Sequence, residues 1–124
     1  MKCALAVILL LAAMRAQAEW VRIAEVKGQA IIYVDPSTVQ KNEAFRRLWE
    51  LYDFAARSPD GDLSIRSFAE YDCPEKRART LSGSSFSDQM ASGRTVVSSI
   101  PPAPWDYIAP GSVRSIVLKY VCSQ

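Results

Sequence analysis

The eleven residues Ala44–Phe54, AFRRLWELYDF, decide how the chain folds. Leu48, Leu51 and Tyr52 would share one side of a helix, so helical spacing alone does not exclude that form. Two phenylalanines, a tryptophan and a tyrosine crowd the segment, and no capping residue precedes it, which favours an extended strand. As a strand it carries large apolar groups on both faces. Phe45, Trp49 and Leu51 alternate with Leu48, Tyr52 and Phe54. A sheet built around it needs cover on both sides.

Strands are expected on either side of this segment. Before it lie Trp20–Glu25 and Ala30–Val34, with a turn at Lys27-Gly28 between them, an Asp35-Pro36-Ser37 stop and a reversal at Lys41-Asn42. After it, a polar loop from Arg57 to Ser64 leads into Ile65–Cys73. There Ile65, Ser67, Ala69, Tyr71 and Cys73 alternate with Arg66, Phe68, Glu70 and Asp72. Arg77–Phe86 and Arg94–Ser98 complete about six strands. Their short connections require antiparallel pairing. Pro101–Gly111 holds four prolines and reads as an irregular connector whose Trp105 and Tyr107 fold over the core edge. Ser112 then resembles an N-cap, with Val113, Ile116, Val117 and Tyr120 on one helical face and Lys119 near the favourable end of the dipole. An edge strand is the alternative for this last segment. The expected architecture is α+β: one antiparallel sheet of about six strands with a C-terminal helix packed on one face. One helix covers one face only. Loops, sheet curvature, a second subunit or a ligand must cover the other.

The start of the chain reads as a targeting segment. Lys2 precedes an apolar run from Ala4 to Met14, and Ala16-Gln17-Ala18 has the small-x-small form of a signal-peptidase site. The run is shorter than the roughly 20 apolar residues of a membrane span. Cleavage is expected between Ala18 and Glu19, giving residues 1–18 as a secretory signal and 19–124 as the single mature domain. The formal net charge of the 124-residue chain is +2. It comes from Lys2 and Arg15, so the mature domain is neutral and is not a general nucleic-acid binder. No apolar run precedes Cys3, and no lipid anchor is expected. Cys73 and Cys122 remain. An even number of cysteines in an exported domain suggests a disulfide, with two free thiols as the alternative. The bond would tie the helix end to the strand that Cys73 closes. A crosslink closing a loop of about 50 residues is worth roughly 4 kcal/mol in the chain-entropy account.

Catalytic chemistry has little to work with. The chain has no histidine, which removes the commonest general base and zinc ligand. Ser82, Ser84, Ser85 and Ser87 lack an activating partner and read as a polar strand end and loop. Glu70 and Asp72 share a strand face, a spacing that suits acid–base work or a hard cation. The plainer reading pairs them across strands with Arg77 and Arg79. Arg46, Arg47, Arg57, Arg66, Lys76, Arg77 and Arg79 are matched by Glu50, Asp53, Asp60, Asp62, Glu70, Asp72 and Glu75. A solvated, mutually paired surface is expected from that balance, with anionic glycans as the less favoured partner. No catalytic, cofactor or metal residue is assigned.

An ordered set of segments resembles a known family. Ala18-Glu19-Trp20 is followed by Tyr33-Val34-Asp35-Pro36-Ser37-Thr38-Val39, then by Leu48-Trp49-Glu50-Leu51-Tyr52-Asp53-Phe54. Glu70-Tyr71-Asp72-Cys73 comes next with Arg77 and Arg79 behind it, and the chain closes on Ala109-Pro110-Gly111-Ser112 and Val121-Cys122. Together these resemble the bacterial surface-adhesin protein E family from Trp20 to Cys122. The resemblance implies a small exported non-enzymatic binding module with no cofactor, an antiparallel sheet and a disulfide-tethered C-terminal helix. Homodimerisation is an option it leaves open. It further implies attachment to a host extracellular-matrix protein at the outer cell surface. The alternative is a soluble periplasmic accessory protein of the same fold, whose partner is an envelope component.

Overall fold

The computed structural model describes residues 18–124. The expected signal, up to Gln17, lies outside the described residues. Six strands run in the order β1 (Val21–Val26), β2 (Ala30–Val34), β4 (Phe45–Phe54), β5 (Ser64–Asp72), β6 (Arg77–Phe86) and β7 (Thr95–Ile100), all antiparallel. Two short strands pair beside this path. β3 (Gln40–Asn42) joins β4, and β8 (Asp106–Tyr107) joins β6. The α+β expectation and the strand reading of Ala44–Phe54 hold.

Three local readings need correction. Lys41-Asn42 is strand rather than reversal. Asn42 pairs with Phe45, so the turn is Glu43-Ala44, with Glu43 at φ 54°. A non-glycine residue there withholds the usual sequence sign of a tight hairpin. The proline-rich connector is not wholly irregular, because Asp106 and Tyr107, free of proline, pair with Ala78 and Arg77. Tyr107 nevertheless does not fold over the core; it is 70% exposed.

Helix α1 (Val113–Cys122) starts at Ser112, whose Oγ accepts from the Ser115 amide at 3.3 Å. Its buried stripe is Val117 and Val121, with Val113, Leu118 and Tyr120 partly buried beside it. Ile116, expected on that stripe, is 47% exposed. The stripe is therefore rotated by a fraction of a turn from the expected face. The core beneath comprises Ala24, Ile32, Val34, Leu48, Ala69, Tyr71 and Ala78. The helix touches both β1 and β5, so the sheet curls around it. An irregularity between Phe68 and Ala69, opposite Leu81, is one source of that curl.

The Cys73–Cys122 disulfide joins the residue after β5 to the last residue of α1, with Cα atoms 5.9 Å apart. It fixes the C-terminal end of the helix against the sheet. Removing both sulfurs by Cys73→Ala/Cys122→Ala is expected to lower stability by about 2–5 kcal/mol. Urea unfolding of the variant and of the reduced wild type checks this, and both should lose the same amount.

Glu50 is fully buried on the helix side of β4. It accepts hydrogen bonds from the Tyr71 hydroxyl and, at 3.3 Å, from the Tyr52 hydroxyl. Burial pushes its carboxyl above the ordinary value, against the opposing effects of Tyr71, nearby Arg114 and Tyr52. The folded state therefore keeps this proton to higher pH than the unfolded chain does. Its contribution to stability falls as pH rises from the ordinary carboxylate value through the raised folded value. Glu50→Gln should flatten that slope above the ordinary carboxylate value, measured as the change in urea midpoint with pH.

Candidate binding face

The face of the sheet turned away from α1 carries the chain's most unusual side-chain arrangement. Strand alternation puts Phe45, Arg47, Trp49 and Leu51 there from β4, and Arg66, Phe68, Glu70 and Asp72 from β5. Arg77 and Arg79 of β6 stand opposite Asp72 and Glu70. The register thus builds a ladder of alternating charge across three strands. Arg47 Nε donates to Glu70 Oε2 at 2.6 Å, and Arg79 Nη2 and Nε donate to Glu70 Oε1 at 2.7 and 2.9 Å. Arg77 Nε donates to Asp72 Oδ2 at 2.8 Å.

Burial alone would push the Glu70 carboxyl up; hydrogen bonds and charge from Arg47 and Arg79 reverse this and hold it below the ordinary value. The expected pairing of Glu70 and Asp72 with Arg79 and Arg77 is what the structure shows. The solvated surface expected from charge balance is only partly found: Asp53, Glu70 and Asp72 are buried on this face and Glu50 on the helix side, while Asp60 and Glu75 stay exposed. Arg47 is the member that reading the sequence missed. Its signal was present, since it alternates in phase with Phe45 and Trp49.

Aromatic rings lie over the ladder. Trp105 stacks on Phe45 with ring centroids 5.9 Å apart, and the Arg77 and Arg79 guanidinium carbons lie 4.6 and 4.2 Å from its ring centroid. The proline-rich segment therefore covers one end of the face. Its backbone is pinned there, the Ala103 amide donating to Thr80 O and the Ile108 amide to Lys76 O. The opposite end is closed by the loop after β6. The Met90 amide donates to Asp53 Oδ1 at 2.7 Å, and the Ala91 amide to Ser64 Oγ at 3.0 Å.

Between these covers, Trp49 packs on Phe68 with centroids 5.2 Å apart, and the Arg66 guanidinium sits 4.5 Å over the Trp49 ring. Trp49 and Arg66 form part of a groove of about 310 Å³ whose other walls include Trp20, Ser37 and Thr38. Asp35 anchors this wall through hydrogen bonds from the Glu19 amide and from Ser37. Such a groove suits a polypeptide partner, because tryptophan and arginine are the residues that most often dominate protein interfaces. Among the described residues no cluster of side chains has metal-binding composition.

The family profile described as surface-adhesin protein E matches residues 20–123. The chain belongs to that family. Solved structures of Haemophilus influenzae protein E share the fold. Crystal form II matches with a TM-score of 0.66 at 9% identity, covering 86% of this chain and 89% of that one. A further structure of the Haemophilus influenzae protein gives 0.63 at 9% identity, covering 86% of each chain. Protein E from non-typeable Haemophilus influenzae gives 0.53 at 10% identity, again covering 86% of each. No curated protein matches the chain by sequence. Among its described residues no helix is long and apolar enough to cross a membrane.

The Glu70 carboxylate is expected to matter for stability in one pH range only. Its lowered folded value means that its contribution is present above the ordinary carboxylate value and lost as pH falls through the folded one. Glu70→Gln should cost about 1.5–3 kcal/mol at neutral pH, the range for hydrogen bonds to a charged group. The gap to wild type should close as pH falls below about 4, which denaturant titrations across pH would show.

Proposed function

We propose that the chain is a small exported, non-enzymatic binding module that attaches to an extracellular-matrix protein through the face opposite its helix. The observation that carries this reading is the groove of Trp20, Trp49 and Arg66 beside the arginine-stacked Trp105, on a member of a surface-adhesin family. Export follows from the signal, cut between Ala18 and Glu19. Ala18 leaves with the signal, and the new N-terminal residue, Glu19, stands beside the groove with its amide donating to Asp35 of the groove wall. A non-catalytic role is supported by the side-chain chemistry. The chain has no histidine, and the two carboxylates best spaced for acid–base work, Glu70 and Asp72, are engaged by arginines.

The purified protein should bind saturably to at least one member of a panel of immobilised matrix proteins. Trp49→Ala and Arg66→Ala should each weaken that binding by about tenfold or more, as central interface residues do. Arg66 is exposed, so its variant should melt close to wild type. Protease added to intact cells should remove the protein. Survival of the protein until the outer membrane is opened, with no matrix binding, would instead favour the soluble envelope accessory role.

A further inference from the structure

Helix α1 is too short for the sheet face on which it lies. Ten helical residues span about 15 Å, whereas ten-residue strands such as β4 and β6 span about 33 Å. The uncovered remainder, beyond the N-terminal end of the helix, is a cleft of about 320 Å³. Its walls are largely apolar, with Tyr52 and Phe54 from β4, Ile65 from β5 and Ile100 from β7. Gly83 pairs with Ile100 beneath the β7 wall. A Cβ at that position would lie 2.7 Å from Arg66 O and 3.3 Å from Ile100 Cδ1, so only glycine lets Ile100 settle on the sheet there.

The charged wall of this cleft is Arg114, the second residue of α1. Its Nε and Nη2 are buried and have no hydrogen-bond partner among the described residues. A guanidinium cannot shed its charge to relieve that cost. Glu50 attracts this charge but leaves the two N–H groups unpaired: its oxygens accept from the Tyr71 and Tyr52 hydroxyls, and among the described residues no ion pair joins it to Arg114. Nε and Nη2 form one edge of the guanidinium plane, the edge whose two parallel N–H bonds match the two oxygens of a carboxylate. The guanidinium carbon lies 5.6 Å from the Tyr71 ring centroid. Arg114 itself lines the cleft, and a carboxylate bound there would be met by rotation about the terminal torsions of this side chain. The helix N-terminus adds positive potential at the same place.

We infer that this cleft binds a small amphipathic carboxylate, its head on the Nε/Nη2 edge of Arg114 and its alkyl chain among Tyr52, Phe54, Ile65 and Ile100. The head requires a planar anion and the walls require an apolar tail, so a medium-chain fatty acid fits and acetate does not. The site lies on the opposite side of the sheet from the proposed matrix-binding face, and either can fail without the other.

Octanoate is the probe, followed by NMR of the isoleucine methyl groups of the purified protein. Octanoate should shift the Ile65 and Ile100 methyls saturably, whereas octanol and acetate should bind at least about tenfold more weakly. Arg114→Gln should weaken octanoate by about tenfold or more, and Arg114→Lys, which keeps the charge and loses the fork, by a smaller factor. Thr80→Phe, which fills the cleft from β6 and leaves Arg114 in place, should also abolish the shifts, and it serves if Arg114→Gln does not fold. The inference is overturned if octanol binds as tightly as octanoate, if the shifts map elsewhere, or if Arg114→Lys and Thr80→Phe both bind as wild type does.

Discussion

A sheet that is apolar on both faces, served by one ten-residue helix, is the constraint from which the rest of this structure follows. The helix solves half of the problem. It seals Val117 and Val121 over Ile32, Val34, Leu48 and Tyr71 and is held down at its far end by the Cys73–Cys122 bond. On the other face there is no second helix among the described residues. The cover there is assembled from arginine stems, carboxylates, Trp105 and the loop after β6. Long arginine side chains can do this because their methylene stems shield apolar neighbours while the guanidinium stays paired or stacked. A face covered in this way keeps half-buried aromatic rings and the exposed Arg66 guanidinium at its centre, which is the composition of an interaction surface.

The two buried glutamates show how strongly the two faces differ. Glu50 and Glu70 stand on neighbouring strands and point to opposite sides. Glu70 meets guanidinium groups from both flanking strands and is held in its charged form. Glu50 meets two phenols under the helix, and burial pushes it toward its neutral form. The same residue type thus works as an ion-pair hub on one side and as a hydrogen-bond acceptor on the other. Tyr52 and Tyr71 share in this second environment. Burial, then the neighbouring Glu50 charge, raises both hydroxyls above the ordinary phenol value, so they remain donors.

Much of this was legible in the order of residues, and the exceptions have physical causes. Period-two alternation identified β4 and the two faces of β5, and pairing across the following turn placed Arg77 and Arg79 on Asp72 and Glu70. Charge balance alone misjudged the environment of those acids. Equal numbers of cations and carboxylates are compatible with a solvated surface or with a stacked, desolvated one, and only the packing of Trp105 distinguishes them. The phase of Glu50, between Leu48 and Tyr52, was a sign of burial that a tally of charges cannot register. The burial of Val121 and Leu118 in place of Ile116 depends on how the helix is rolled about its axis. That roll depends on packing against a curled sheet, and the periodicity of a ten-residue segment defines it poorly. The Glu43-Ala44 turn escaped notice because it uses no glycine or proline.

Sharing a fold at 9–10% identity also bears on where specificity resides. What such distant chains must keep in common is the alternation that makes a two-faced sheet and the means of covering it, since these determine whether the chain can fold at all. The identities of the outward-facing side chains carry no such obligation. In this chain those positions hold tryptophan and arginine in contact, at Trp49 with Arg66 and at Trp105 with Arg77 and Arg79. Each pair limits the conformational freedom of a long side chain before any partner arrives, which lowers the entropy lost on association. On the proposed reading, such a face suits a partner that presents apolar and acidic groups side by side. Its selectivity is to be read from these residues rather than from those of its structural relatives.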